Sequence, residues 1–247
     1  MTDLTGQVVA ITGASSGIGE ATALAAAQAG AAVSLAARRA DRIDALARRV
    51  ADAGGRAIAV PTDVSDETQA RRFIERTIAE LGGLDALVNN AGVSLLGPVL
   101  DAPTDEWRRM IDANIYGVLY CTHAALPTFT AQRRGTIVVV SSVSGRRASA
   151  GAAVYALTKH AVGAFAEALR QELASDSVRV ALVEPGPTAT ELGRHHRPEV
   201  RAALAERVAG LERLEPGDVA NAILYVLSQP PNVAVNEVLL RPANQVG

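Results

Sequence analysis

The chain has 247 residues, of which 49% are apolar, 20% charged and 3% aromatic, and its 24 basic and 26 acidic side chains leave a net charge of −2. That length buries a full core without staples, the lone Cys121 excludes an internal disulfide framework, and the balanced charge argues against nucleic acid as the main partner. The start, Met1-Thr2-Asp3-Leu4, lacks the basic head and apolar run of an export signal, and the longest uncharged stretch carries Asn114, Thr122, His123 and Pro127, which suits no membrane span; a soluble, cytoplasmic protein is expected.

Short, largely β-branched runs at 8–11, 32–35, 57–60, 84–88, 137–140 and 178–183 read as strands buried on both faces. Between them, segments 17–29, 41–53, 66–81, 104–131 and 154–174 have helical spacing. In 66–81, Phe73, Ile74, Ile78 and Leu81 form one apolar stripe. A last helix over 216–229 opens at Pro216 and must stop before Pro230-Pro231, and 235–240 closes the chain as a strand. The βαβα order predicts an α/β fold, a doubly wound parallel sheet with helices on both faces. No linker, charge block or repeat divides the chain, so 1–247 reads as a single domain. Ligands of such folds bind at the carboxyl ends of the strands.

The first strand runs into Thr12-Gly13-Ala14-Ser15-Ser16-Gly17-Ile18-Gly19, ahead of a helix. Glycines there let the backbone approach a pyrophosphate at the helix N-terminus, although a glycine-rich turn also serves plain close packing. After the second strand stand Ala36-Ala37-Arg38-Arg39, with no acid before Asp41. A carboxylate there would bond ribose hydroxyls, whereas a guanidinium pairs with a 2′-phosphate, so NADP is preferred over NAD, with NAD(H) still possible. The alternative is a solvated pair of arginines at the sheet edge. Asp63-Val64 and Asn89-Asn90-Ala91-Gly92 end the next two strands; Asp63 suits an adenine amino group or a helix cap, and the asparagines suit a cofactor or the neighbouring backbone.

Of the 24 basic residues, Lys159 is the only lysine, and it lies four after Tyr155, on one helix face. With four tyrosines in the chain, chance gives that spacing roughly 1–2% of the time. A nearby ammonium lowers a phenol's pKa from about 10 and makes it a usable acid and base. Ser142 closes a strand end thirteen residues before Tyr155 and is placed to bond a substrate oxygen.

Together, Thr12-Gly13-x-x-x-Gly17-Ile18-Gly19, Asn89-Asn90-Ala91-Gly92, Asn114, Ser142, Tyr155-x-x-x-Lys159 and Pro185-Gly186 resemble the short-chain dehydrogenase/reductase family over nearly the whole chain. The resemblance implies a Rossmann-type sheet of about seven strands in the order 3-2-1-4-5-6-7. It further implies Tyr155 as general acid/base, Ser142 polarising the carbonyl or hydroxyl, and Lys159 on the nicotinamide ribose, lowering the tyrosine pKa. Asn114 would bend its helix and keep a water for proton relay, while Pro185, Gly186, Thr188 and Thr190 would line the nicotinamide and phosphate side. Family members with arginine at Arg38 favour NADP; this chain departs from some of them in having Ser16, not a basic residue, before Gly17. Segments 95–98, 107–112 and 237–242 resemble a subgroup that includes clavulaldehyde reductase and serine 3-dehydrogenase-like enzymes, which hints at small polar substrates. Family members also associate through the helices near 104–131 and 154–174, so a homotetramer is expected.

The expected activity is NADP(H)-dependent interconversion of a small carbonyl compound and an alcohol by hydride transfer. A nucleotide-sensing protein without turnover, and an isomerase or dehydratase with bound cofactor, are the rivals. Arg194-His195-His196-Arg197 falls in an expected substrate lid near 187–213; it reads as a solvated loop or an anion-recognising one, as do Arg146 and Arg147. No metal is expected, because adjacent histidines point apart. Cys121 reads as a small packed side chain, and Trp107 as the residue that docks the long helix.

Overall fold

The computed structural model describes residues 2–207 and 210–245. Seven parallel strands form one sheet in the order β3-β2-β1-β4-β5-β6-β7: β1 (Val8–Thr12), β2 (Ala32–Ala37), β3 (Arg56–Pro61), β4 (Ala86–Asn89), β5 (Gly135–Val140), β6 (Val178–Pro185) and β7 (Glu237–Leu240). The chain enters at β1, winds outward to β3, and returns to β4 on the other side of β1. That reversal opens a crevice at the carboxyl ends of β1 and β4, the usual ligand position in such sheets. Strands β1 and β4 are buried along their whole length, as burial on both faces demands.

Eight α-helices cover the sheet among the described residues: α1 (Gly17–Gln28), α2 (Ala40–Asp52), α3 (Glu67–Leu81), α4 (Thr104–Ile111), α5 (Gly117–Gln132), α6 (Ala153–Glu172), α7 (Pro198–Arg207) and α8 (Pro216–Leu227). Residues of α1, α2 and α8 build the apolar cluster on one face, including Ala23, Ile43 and Ile223. Those of α3, α5 and α6 build the other, including Phe73, Phe129 and Val162. The stripe expected on α3 is there, with Phe73, Ile74 and Leu81 buried. Asp66 caps that helix by accepting from the Gln69 N–H, and Gly82 ends it at φ 88°.

Two features depart from the sequence expectation. Segment 104–131 is not one helix: α4 and α5 are joined by a π turn at Asp112–Tyr116. The segment between β6 and α8 holds a 3-10 turn at Glu191–His195 and the helix α7, where an irregular lid was expected. No helix among the described residues is long and apolar enough to cross a membrane.

Candidate active site

The glycine turn is fixed to the end of β4 by a small set of polar bonds. Thr12 Oγ1 accepts from the N–H groups of Asn90 and Ala91, both at 3.0 Å. Asn90 Nδ2 donates back to the Thr12 carbonyl at 3.0 Å and the Gly13 carbonyl at 3.4 Å. Of the two open readings for this asparagine, its amide thus takes the backbone one. Gly13 and Gly17 lie at φ 68° and 57°, a region costly for any residue with a Cβ. A Cβ on Gly19 would collide with the Gly13 carbonyl oxygen. Helix α1 begins here with no side chain capping it, so its first-turn N–H groups remain for an anion.

Arg39 leans over this turn. Its Nε donates to Ser15 Oγ at 3.1 Å and its Nη2 to Ser15 Oγ at 2.8 Å and Ser16 Oγ at 2.7 Å. The missing cation before Gly17 is therefore supplied from across the crevice, by Arg39 reaching Ser16. Arg38 is exposed beside it. Asp63 lies at the third strand end with its Oδ1 accepting from the Ser65 N–H and hydroxyl at 3.0 and 2.7 Å. The Val64 side chain is buried in the core, and a Cβ on Gly117 would meet it at 2.6 Å. Only the backbone of Val64 is left to meet a ligand.

Ser142, Tyr155 and Lys159 come together where β5 ends against the start of α6, all buried. Ser142 caps the 3-10 turn Val143–Gly145 by accepting from the Ser144 N–H at 3.1 Å. Lys159 Nζ lies 5.8 Å from the centre of the Tyr155 ring and donates to the Val140 carbonyl at 2.9 Å. The pKa expectation needs correction here. Burial pushes the Tyr155 phenol up to about 12, with the Ser142 hydroxyl pulling the other way. Burial also lowers the Lys159 ammonium to about 8. Desolvation disfavours the charged form of both groups, and it outweighs the depression that the spacing alone suggested.

Asn114, in the π turn, is buried and spends its amide on two neighbours. Its Oδ1 accepts from the Val93 N–H at 2.7 Å, and its Nδ2 donates to the Val93 carbonyl at 2.9 Å and Thr158 Oγ1 at 3.0 Å. The side chain ties the loop after β4 to α6, and a Cβ on Gly92 would meet both Asn114 Oδ1 at 3.0 Å and Lys159 Nζ at 3.8 Å. At the end of β6, the Gly186 N–H donates to Leu240 at 2.8 Å and Thr188 Oγ1 to the Gly186 carbonyl at 2.9 Å. The Thr190 methyl would stand 3.0 Å from a Cβ on Gly17. The expected cofactor residues from β1, β2, β4 and β6 thus border one crevice.

Beside Tyr155 lies an apolar pocket of about 10 Å³, lined by Leu95, Gly97, Trp107, Met110 and Val154. Trp107 belongs to this cluster with Leu95, Met110 and Tyr155, so it shapes the pocket as well as anchoring α4. A larger cleft of about 290 Å³ opens at the opposite edge of the sheet near Asp85, Arg134 and Arg179. It holds none of the expected residues, and Arg179 is spent there on Thr136 and the carbonyls of Leu227, Gln229 and Val233. Segment 194–197 is not a solvated loop. Arg194 pairs with Glu191, His196 Nε2 lies 3.3 Å from the buried Ser94 hydroxyl, and Arg197 donates to the Asp101 carbonyl and pairs with Glu106. Cys121 is buried with its thiol pushed up to about 12 by desolvation, a packed side chain. Among the described residues, no group of three His, Cys, Asp or Glu is disposed to hold a metal.

The family model described as short chain dehydrogenase matches residues 7–201. The chain belongs to the short-chain dehydrogenase/reductase family. It is an oxidoreductase of that family, with the same seven-stranded Rossmann sheet. Glycine betaine reductase ATRR of Emericella nidulans is 40% identical over 98% of this chain, which spans 19% of that protein's length. An uncharacterized oxidoreductase of Staphylococcus aureus is 38% identical over 98% of this chain and 100% of its own. Among solved structures, a closed form of serine dehydrogenase complexed with NADP+ superposes with a TM-score of 0.91 at 30% identity, covering 98% of this chain and 97% of that one.

Several residues of this family member's site escape a sequence reading. Arg146 is neither solvated nor free: its Nε donates to Glu184 Oε2 at 2.6 Å, and its Nη2 pairs with Glu237. Glu184 is buried at the end of β6, so this arginine pins the loop after Ser142 to the strands beside it. Ser141 Oγ donates to the Lys159 carbonyl at 3.1 Å, fixing α6 to β5. Thr158 holds Asn114. The only sequence signal for them is their place beside a motif residue.

Proposed function

We propose that this protein is an NADP(H)-dependent oxidoreductase that interconverts a small ketone or aldehyde and the corresponding alcohol, with Tyr155 as general acid/base. The observation that carries this reading is the buried cluster of Ser142, Tyr155 and Lys159 beside the glycine turn. The turn's tight backbone, the uncapped start of α1 and the guanidinium of Arg39 fit a dinucleotide with an extra ribose phosphate. Gly13, Ser15, Ser16, Gly17, Ile18 and Gly19 would hold the pyrophosphate, Arg39 and Arg38 the ribose phosphate, and Asp63 with Val64 the adenine. Asn90, Ala91, Gly92, Lys159 and the stretch from Pro185 to Thr190 would hold the nicotinamide half. The NADP+ bound by the serine dehydrogenase neighbour supports the same choice.

When bound, the nicotinamide supplies or accepts the hydride. The protein's task is the proton and the oxygen. Burial keeps Tyr155 a phenol at neutral pH, which is the form that reduction requires. As its proton passes to the substrate oxygen, the Lys159 ammonium favours the phenolate left behind. Ser142 donates to the same oxygen and fixes its position. The small apolar pocket supports a small substrate, and segment 187–213 would act as its lid. The reading extends to a cytoplasmic homotetramer, with reduction as the working direction.

Following NADPH consumption against a panel of ketones and aldehydes tests the proposal. Oxidation with at least one substrate supports it, and none with any substrate counts against it. Tyr155→Phe is expected to cut turnover by roughly 10²–10⁴-fold while fluorescence titration shows NADPH affinity unchanged. A Tyr155→Phe protein with full turnover would remove Tyr155 from the chemistry.

A further inference from the structure

Arginines from two elements converge on one carboxylate at the edge of the glycine turn. Glu191 follows Thr190 at the start of the 3-10 turn after β6. Its Oε2 accepts from Arg39 Nη1 at 2.8 Å and Arg42 Nη1 at 3.2 Å. Its Oε1 accepts from Arg42 Nη1 at 3.2 Å and Arg194 Nη1 at 2.9 Å. The opposite edge of the Arg39 guanidinium holds the hydroxyls of Ser15 and Ser16. One guanidinium therefore joins the phosphate-binding turn to the segment that covers the crevice.

A phosphate monoester presents guanidinium groups with the same oxygen geometry as a carboxylate, and with more charge. Arg39 and Arg42 hold Glu191 well below the usual carboxylate range, at about 2, so it competes as an anion at every working pH. Its arginine contacts are also partly open to solvent, where an ion pair is weak and exchangeable.

Resting on the proposed NADP(H) dependence, we propose that Glu191 is an internal stand-in for the cofactor's ribose phosphate and a determinant of cofactor specificity. It occupies Arg39 and Arg42 until a nucleotide bearing that phosphate displaces it. A nucleotide without the phosphate has no group to exchange for the carboxylate and leaves the clamp in place. Glu191 thereby reduces the affinity advantage of the phosphorylated cofactor below what the arginines alone would give.

Calorimetric titration of 2′,5′-ADP and 5′-AMP onto the wild type and Glu191→Gln tests this. Glu20→Gln is the control, because it breaks another exposed pair on the same face, with Arg49 at 2.6 Å. The wild type is expected to bind 2′,5′-ADP more tightly than 5′-AMP. Glu191→Gln is expected to gain roughly five- to tenfold for 2′,5′-ADP and to stay within about twofold for 5′-AMP, while Glu20→Gln changes neither. An unchanged 2′,5′-ADP affinity, an equal gain for both probes, or the same gain in Glu20→Gln overturns the role of Glu191 and leaves NADP(H) dependence standing. A wild type that treats the two probes alike overturns both.

Discussion

Tyr155 and Lys159 share one face of α6, and burial moves them in opposite directions, the phenol to about 12 and the ammonium to about 8. The i, i+4 spacing makes their meeting legible in the sequence. The balance of desolvation against charge coupling is not legible, because it depends on depth. The folded value for Lys159 lies below its ordinary 10.5, so its charge opposes folding at neutral pH; the penalty is complete below about pH 8 and fades toward 10.5. Lys159→Met is therefore expected to abolish turnover yet raise stability at pH 7 by roughly 1–3 kcal/mol, after allowing for the lost bond to Val140. Calorimetric unfolding of both proteins from pH 7 to 10.5 checks this, with the gap narrowing as pH rises; a less stable variant at pH 7 contradicts it. In the wild type, the rate of reduction is expected to fall above about pH 8, as the ammonium loses its proton.

Strands were the most legible elements, since β-branched runs such as Ile137-Val138-Val139-Val140 have few other ways to be buried. The helix covering 104–131 was misread because apolar spacing continues through the π turn, and periodicity does not show where an amide such as Asn114 takes over backbone partners. Helix α7 carries no apolar stripe to announce it. Arg146 was left open for a related reason: its partners, Glu184 and Glu237, lie 38 and 91 residues away. Removing the arginine strands a buried carboxylate. Arg146→Ala is expected to cost about 2–3 kcal/mol, below the cost of breaking a closed buried pair because the guanidinium is partly open to water. It is also expected to lower kcat by loosening the Ser142 loop. Urea unfolding and steady-state kinetics measure the two effects. Glu184→Gln made together with Arg146→Ala should recover stability, and failure to do so would rule out the stranded charge as the cause.

For the whole molecule, the order of elements and the Pro230-Pro231 stop were enough to foresee the doubly wound sheet, while the path 3-2-1-4-5-6-7 came from family resemblance and not from periodicity. Quaternary structure is the level at which a single chain is least informative. Apolar side chains are left exposed at two places: Tyr116 and Leu157 near the π turn and α6, and Tyr225 and Leu239 on α8 and β7. Two separate patches suit the two distinct interfaces of a dihedral tetramer. Light scattering is expected to report a tetramer, and Leu157→Arg a dimer with the second interface intact. A monomeric wild type would overturn the tetramer.

The wide turn at Asp112–Tyr116 also constrains how this chain can vary. Excising one residue there would close the segment into an ordinary α-helix and swing everything downstream by about 100° around its axis. Val118, Cys121 and Ala125, now facing the sheet, would turn out toward water, and polar neighbours would take their place. A single lost codon in this stretch is thus more damaging than most side-chain replacements, because it misdirects a whole helix while leaving every remaining residue chemically unchanged.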